Sequence, residues 1–81
     1  MENTNELLIG KAVLNTKGAI IGNIEESIKD GDSGEIVSVL IKPSEDLKTQ
    51  NYTLTEKGKI IFPYSSLSFV KDIIIIEDPI K

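Results

Sequence analysis

The chain has 81 residues, of which 40% are hydrophobic and 27% are charged, and these values predict one folded domain rather than a disordered chain. It contains neither His nor Cys, which excludes disulfides, imidazole bases, thiol nucleophiles and the common ligands of zinc, haem and iron–sulfur centres. The formal net charge is −4 and all nine basic residues are lysines, so direct binding to nucleic acid is disfavoured.

Short strands separated by turn residues are predicted from the first apolar segment onward. Residues 11–14 form a first strand, and the turn that follows ends at Gly18, which can adopt a positive φ. Residues 19–29 form a longer strand. Gly22 inside that strand predicts a bulge or a sharp bend, which a small barrel needs in order to close.

The middle of the chain combines one further strand with a long irregular loop. Residues 30–34 form a polar hairpin loop that ends at Gly34, and residues 35–42 form the third strand. Proline cannot donate to a sheet ladder, so Pro43 ends this strand. Residues 44–58 are predicted to be a loop with a marginal strand at residues 52–55.

Three short strands are predicted in the last third of the chain. Residues 59–62 form a strand that ends at Pro63, and a turn of 3₁₀ helix follows at residues 64–66. Tyr64 is interpreted as a corner residue whose ring packs on the core, with an exposed anchor for a partner as the alternative. Two strands, at residues 67–70 and 73–77, then flank a two-residue turn.

Two of the predicted strands carry apolar side chains on both faces. Successive side chains of a strand alternate between faces, and a small barrel has one interior, so one apolar set must point outward. The long loop, a packed tail or another chain must cover that set, and cover by another chain predicts a homodimer or a protein partner. The candidate interface residues are Ile36, Leu40, Ile73, Ile74, Ile75 and Ile76.

No catalytic, metal or cofactor site is predicted. Glu25 and Glu26 are neighbours in a strand and point to opposite faces, so they do not form a catalytic pair easily. Residues 30–35 lack the full ligand spacing of a calcium loop and are interpreted as a hairpin turn. The serines at residues 65–68 have no histidine to activate them, although composition leaves a Ser–Lys arrangement open.

Targeting signals are not evident in the sequence. Residues 1–6 are polar and acidic, without the basic and then apolar order of a signal peptide. The longest apolar run is residues 73–76, whereas a bilayer-spanning helix needs about 20 residues. The sequence therefore predicts a cytoplasmic protein without direct membrane insertion.

Two motifs, one near each end of the chain, are more specific than any single segment. The opening motif is Leu8-Ile9-Gly10-Lys11-x-Val13, followed by Gly18-x-x-Ile21-Gly22-x-Ile24-x-Glu26. The closing motif is Phe62-Pro63-Tyr64-Ser65-x-Leu67, followed by Val70-x-Asp72-Ile73-Ile74-Ile75. In order and spacing these motifs resemble those of PRC-barrel domains, over residues 8–77. The sequence departs from the family pattern at Glu26, where Asp is usual, and at Phe62, where an aliphatic residue is usual.

The resemblance implies an all-β fold, a small PRC-type barrel of about six short strands with one long irregular loop. The barrel would occupy residues 8–77, with a flexible N-terminal tail at residues 1–7 and a C-terminal tail at residues 78–81. It implies a non-enzymatic protein–protein adaptor, best matched in size by stand-alone archaeal PRC-barrel proteins. Some of these are similar to cell-division components that bind a SepF-like membrane anchor.

The resemblance also implies alternatives for the partner. Another PRC-barrel protein is one. A ribosome-assembly factor similar to the C-terminal domain of RimM is a second reading of the function, in which Glu25 and Glu45 contact a basic ribosomal protein. No cofactor is implied by either reading.

Overall fold

The fold is built from six strands and one short 3₁₀ turn. The computed structural model describes residues 7–77, so the predicted tails lie outside the described residues apart from Leu7. In chain order the elements are β1 (Ala12–Asn15), β2 (Ile20–Lys29), β3 (Ile36–Pro43), β4 (Ile60–Pro63), the 3₁₀ turn (Tyr64–Ser66), β5 (Ser68–Val70) and β6 (Ile73–Ile76). Every strand bound lies within one residue of its sequence prediction, and the predicted all-β class is confirmed.

The six strands form a single curled sheet in the order β4-β3-β2-β1-β6-β5. Consecutive neighbours pair antiparallel, whereas β1 and β6 pair parallel and bring the two ends of the chain together. Strands β4 and β5 are the two edges of the sheet. The architecture is therefore a half-barrel of the small PRC type, with its apolar core on the concave side.

Aliphatic side chains from five of the strands and from the segment before β1 fill the core. Alternation selects most of them, since every second residue of a regular strand points to the concave face, and the register shift in β2 adds Ile21 to the core. The buried side chains are Leu8, Val13, Ile21, Ile24, Val39, Ile41, Ile60, Ile74 and Ile76. The half-buried apolar residues that pack against them are Ile36, Leu47, Tyr52, Phe62, Tyr64 and Leu67.

Strand β2 is bent where Gly22 lies. The pairing with β1 shifts register at this point, because Val13 faces Gly22 while Leu14 faces Ile20. Gly22 is buried, and a Cβ atom at this position would overlap the carbonyl oxygen of Lys42 and lie 2.9 Å from its carbonyl carbon. The absence of a side chain at Gly22 thus lets the backbone of β2 lie close to the backbone of β3 at Lys42.

The turn between β1 and β2 is organised around the buried side chain of Asn15, which is 7% exposed. The backbone N–H groups of Lys17 and Ala19 both donate to its Oδ1 at 2.9 Å. Gly18 in the same turn has φ +85°, and Gly34 at the end of the next hairpin loop has φ +76°. Both glycines adopt a left-handed conformation that side chains disfavour.

The long loop between β3 and β4 covers part of the β4 edge. The predicted marginal strand at residues 52–55 is reduced to one isolated bridge between Leu54 and Ile60. Two backbone hydrogen bonds flank it, from the N–H of Ile61 to Thr53 and from the N–H of Thr55 to Lys59. This segment shields the start of β4.

Candidate protein-interaction surface

The four consecutive isoleucines of β6 divide between two faces. Ile74 and Ile76 are 0% and 1% exposed and belong to the core, whereas Ile73 and Ile75 are half-buried on the convex face. The predicted interface is corrected here, because the buried pair cannot contact a partner in this fold. Ile73 and Ile75 are in a position to do so.

A bulge in β3 changes the face of another predicted interface residue. Ser38 pairs with Ile28 and Ile36 pairs with Lys29, so Val37 is left out of register. This extra residue turns Ile36 toward the core, against which it packs, and leaves Val37 49% exposed. Ile36 therefore supports the core rather than forming the convex surface.

Leu40 keeps the convex orientation that was predicted for it. It lies between two buried neighbours in β3, Val39 and Ile41, and is half-buried itself. On either side it faces Glu26 of β2 and Ile61 of β4. Leu40 is thus the centre of a convex apolar site at this end of the sheet.

One convex apolar patch spans the middle of the sheet and its β5 edge. Leu14 faces Ile20 on one side and Ile75 on the other, and Val70 faces Ile73. Ile20 is 64% exposed and Val70 is 48% exposed. These five residues are called the β1–β6 patch.

A second, smaller convex patch lies on β2, β3 and β4. It consists of Ile28, Leu40 and Ile61, with Ile28 on the strand next to β3. Glu26 and Asn23 of β2 and Lys42 of β3 separate it from the β1–β6 patch. These three apolar residues are called the β3–β4 patch.

The charges that border the β1–β6 patch are of both signs. Exposed lysines stand beside it at Lys17 in the β1–β2 turn and Lys71 in the β5–β6 turn, and exposed carboxylates at Asp72 and Glu77. Lys42 and Glu26 lie between this patch and the β3–β4 patch and add one charge of each sign. The charges around the β1–β6 patch therefore balance.

The charges that border the β3–β4 patch are also of both signs. Leu40 lies in a groove of about 500 Å³ that is otherwise lined by Thr55 and by charged residues, namely Glu25, Glu26, Glu56, Lys57 and Lys59. The register of β2 and β3 leaves Glu25 as a bulge residue, and its Oε1 lies 2.7 Å from Nζ of Lys59. Lys42 lies between the two patches and adds a third lysine, so the charges around this patch balance as well.

A separate groove of about 560 Å³ lies where β4, β5 and β6 approach one another. Its walls carry hydroxyl and amide groups, among them Thr16, Asn51 and Ser68, and its apolar lining includes Phe62. Glu77 is the charged residue among those that line it. This groove holds no convergent set of charged groups.

The remaining candidate residues occupy turns. Half-buried Tyr64 follows Pro63, packs against the core and lies with its ring centroid 6.0 Å from that of Phe69. In the hairpin loop after β2, the backbone N–H of Asp32 and the hydroxyl of Ser33 donate to the carboxylate of Asp30. These bonds hold the pKa of Asp30 below its ordinary value, the bond from the Asp32 N–H having the largest effect.

The described part of the chain also bears on metal binding and on membrane crossing. Within residues 7–77 no three His, Cys, Asp or Glu side chains come together in a way that could hold a metal ion. Over the same residues, no helix has the length and apolar character that crossing a bilayer requires.

The all-β half-barrel is consistent with the comparison to known protein families. The PRC-barrel domain family matches residues 3–81. The chain belongs to the PRC-barrel domain family. PRC-barrel domains are small adaptor-type domains and are generally non-catalytic.

A curated relative extends this assignment to an archaeal source. An uncharacterized protein of Methanocaldococcus jannaschii is 26% identical over 74 residues. The aligned segment covers 90% of this chain and 79% of the relative. The similarity therefore extends over most of both chains.

Several surface residues lie outside the sequence-based interface prediction. Leu14, Ile20 and Val70 complete the β1–β6 patch, and Ile28 and Ile61 complete the β3–β4 patch. Alternation within the predicted first strand is a signal for Leu14, since Val13 and Leu14 must face opposite sides. Ile20 joins them only through the register shift at Gly22, which no local pattern in the sequence specifies.

Proposed function

We propose that this PRC-barrel domain is a non-enzymatic protein–protein adaptor in the cytoplasm, and that the β1–β6 patch binds its protein partner. The observation that carries the proposal is the exposure of Ile20 and Val70 beside three half-buried aliphatic residues on the convex face. Contiguous apolar surface with a polar border is typical of a protein-binding site.

Burial of this patch would contribute appreciably to binding. A fully buried aliphatic side chain stabilises a protein by about 1.5–3 kcal/mol relative to an exposed one. Ile20 and Val70 have about half or more of their surface left to bury, at 64% and 48% exposed. The three half-buried residues add less, because their neighbours in the sheet already cover most of each side chain.

An adaptor also needs more than one binding surface. The β1–β6 patch and the β3–β4 patch are separated by the polar side chains of Asn23, Glu26 and Lys42. The convex face therefore offers two distinct apolar patches. This arrangement supports an adaptor over a protein with a single binding site.

The partner that we propose is a SepF-like membrane anchor, within an archaeal cell-division assembly. Support comes from the match to the PRC-barrel domain family and from the similarity to an uncharacterized protein of the archaeon Methanocaldococcus jannaschii. The anchor, and not this chain, would then provide the contact with the membrane.

The direct test is calorimetric titration of the purified protein with the SepF-like protein of the same organism. Wild type is expected to bind, and Ile20→Asp is expected to weaken binding about tenfold or more, because it places a charge in an apolar contact. Val37→Asp is the matched control, since Val37 is also exposed, at 49%, but belongs to neither patch. Equal binding by all three proteins would overturn the assignment of the patch.

A ribosome-associated role makes a different prediction in the same experiment. The glutamates that line the groove of the β3–β4 patch, Glu26 and Glu56 among them, support this alternative, because carboxylates would attract a basic ribosomal protein. Such a complex would weaken strongly with added salt and would tolerate Ile20→Asp. Binding to ribosomal proteins with this salt dependence, and none to the SepF-like protein, would replace the cell-division role.

A further inference from the structure

The two edges of the sheet differ in whether a further strand can pair with them. At the β4 edge the N–H of Ile61 donates to the carbonyl oxygen of Thr53, and the isolated bridge between Leu54 and Ile60 lies beside this bond. The next position of β4 whose backbone faces away from β3 is Pro63, which has no N–H to donate. Within β4, no outward-facing N–H is therefore left for another strand.

The β5 edge is open. All three of its residues are exposed, and none of them is proline, glycine or charged. Val70 and Ile73 pair with each other across a two-residue turn, so their backbone groups bond to one another, and the N–H and C=O of Phe69 face away from β6. Among residues 7–77, no turn or loop residue forms a backbone hydrogen bond with Phe69. Such an edge is a template for pairing with another chain.

We infer that β5 of one copy pairs antiparallel with β5 of a second copy, about a two-fold axis beside Phe69. The N–H of each Phe69 then donates to the C=O of the other. The two rings, each 49% exposed in the single chain, become direct cross-strand neighbours. Val70 of one copy lies opposite Ser68 of the other, and the two sheets join into one.

Charge does not oppose this contact. Lys71 is the first charged residue after β5 and continues the line of the strand into the turn. In the two-fold register it lies opposite Leu67 of the other copy, two positions from Phe69. The two copies of Lys71 are therefore four positions apart along the strands, or about 13 Å, which exceeds the Debye length of about 8 Å at physiological ionic strength.

The β1–β6 patch is the reason to assign this edge to a second copy rather than to an unrelated strand. An antiparallel two-fold pair keeps both convex faces on the same side of the joined sheet, and Val70 belongs both to β5 and to the patch. Five side chains are few for a stable interface, which has about 20–30 residues on each side. A doubled patch lies closer to that size, and a second copy doubles it. This reason rests on the proposed function, because it takes the patch as the binding site for the partner.

The first experiment measures the mass of the purified protein by sedimentation equilibrium at concentrations up to about 1 mM. A ladder of three residue pairs is far smaller than a standard interface, so a dissociation constant of about 0.1–1 mM is expected. The weight-average mass should rise with concentration toward twice the monomer mass and no further. A mass that stays at one copy throughout, or that passes two copies, would overturn the inference.

The second experiment, amide hydrogen exchange, detects the contact at the group that makes it. The N–H of Phe69 is expected to exchange rapidly in dilute protein and to gain protection as the concentration rises. The N–H of Val70, which bonds to β6, should be protected at both concentrations. Rapid exchange at Phe69 in a sample that is largely dimeric would place the contact elsewhere and overturn the inference.

The third experiment removes the outward donor. A proline is compatible with an edge position whose N–H faces solvent, so Phe69→Pro is expected to fold and to remain a monomer. Ser68→Lys is a second variant in case Phe69→Pro does not fold, because it keeps every backbone hydrogen bond and introduces a charge inside the edge. Val37→Asp is the control, since Val37 is equally exposed, at 49%, but lies on β3. Undiminished dimerisation of either folded β5 variant would overturn the inference.

The dimer and the proposed partner are tested separately. A protein that dimerises through Phe69 and binds no SepF-like protein contradicts only the proposed partner. A protein that stays monomeric and binds the SepF-like protein through Ile20 contradicts only the dimer. In that monomeric protein, protection of the Phe69 N–H that appears only after the SepF-like protein is added would assign the edge to a strand of the partner instead.

Discussion

Ile74 and Ile75 are adjacent in β6 and lie on opposite faces of the sheet. Ile74 is fully buried and faces Val13 of β1, while half-buried Ile75 faces Leu14 on the convex side. Two consecutive residues of one strand therefore have different roles. Ile74 stabilises the core, and Ile75 is available to a partner.

This relationship predicts unequal costs for two identical substitutions. Ile74→Ala is expected to lower the free energy of unfolding by about 2–5 kcal/mol, because it removes packed methyl groups and leaves a cavity. Ile75→Ala is expected to cost at least about 1 kcal/mol less, since its side chain already meets solvent. Urea denaturation of both variants measures the difference, and equal losses would contradict the assignment of faces.

Close packing at Gly22 predicts another matched pair. A methyl group at Gly22 would overlap the backbone carbonyl of Lys42, so Gly22→Ala is expected to destabilise the protein by about 1–3 kcal/mol or more. Gly31→Ala serves as the control, because a Cβ there has no heavy atom within 4 Å and Gly31 does not adopt a positive φ. It should change stability by no more than about 0.5 kcal/mol. Thermal unfolding of both variants tests this prediction.

Much of the fold can be predicted from the sequence, because the residues that end its strands act locally. Turn glycines such as Gly18 and Gly34 and the strand-ending Pro43 and Pro63 mark where strands stop. These residues act through their own backbone conformation, so no distant partner is needed to interpret them. The six strands follow from them to within one residue.

Which side chains point to which face of the sheet can be predicted only in part, because a bulge reverses the alternation of the residues beyond it. The bulge at Val37 turns Ile36 toward the core, against the orientation expected from simple alternation with Leu40. The bulge at Glu25 likewise brings that carboxylate to Lys59, 34 positions along the chain and outside any local pattern. Register depends on the partner strand, and a single sequence does not specify it.

Replacement of the buried Asn15 in the β1–β2 turn is expected to lower the free energy of unfolding. Its Oδ1 accepts hydrogen bonds from the backbone of Lys17 and Ala19, so Asn15→Ala leaves both N–H groups without this acceptor. A loss of about 1–3 kcal/mol in the free energy of unfolding is expected. Thr16→Ala, an exposed change in the same turn, is the control, and a loss as large as that of Asn15→Ala would refute the role of the side chain.

Asp30 predicts how stability depends on pH. Because hydrogen bonds lower its pKa in the folded state below the ordinary value of 3.8, the folded state binds this proton less readily than the unfolded state. The stabilisation is present above pH 3.8 and is lost as the pH falls through the lower folded pKa. Asp30→Asn should therefore flatten this acid limb of the stability curve, measured by urea denaturation at several pH values below 5. A variant with the wild-type slope would contradict the prediction.

The central claim is that the β1–β6 patch binds a protein partner, and NMR of isoleucine methyl groups tests it most directly. During titration with the SepF-like protein, the methyl signals of Ile20, Ile73 and Ile75 are expected to shift or broaden first. The core methyl groups of Ile41 and Ile60 should change little. Saturating partner that leaves the three patch signals unchanged, or that perturbs Ile28 and Ile61 instead, would contradict the account.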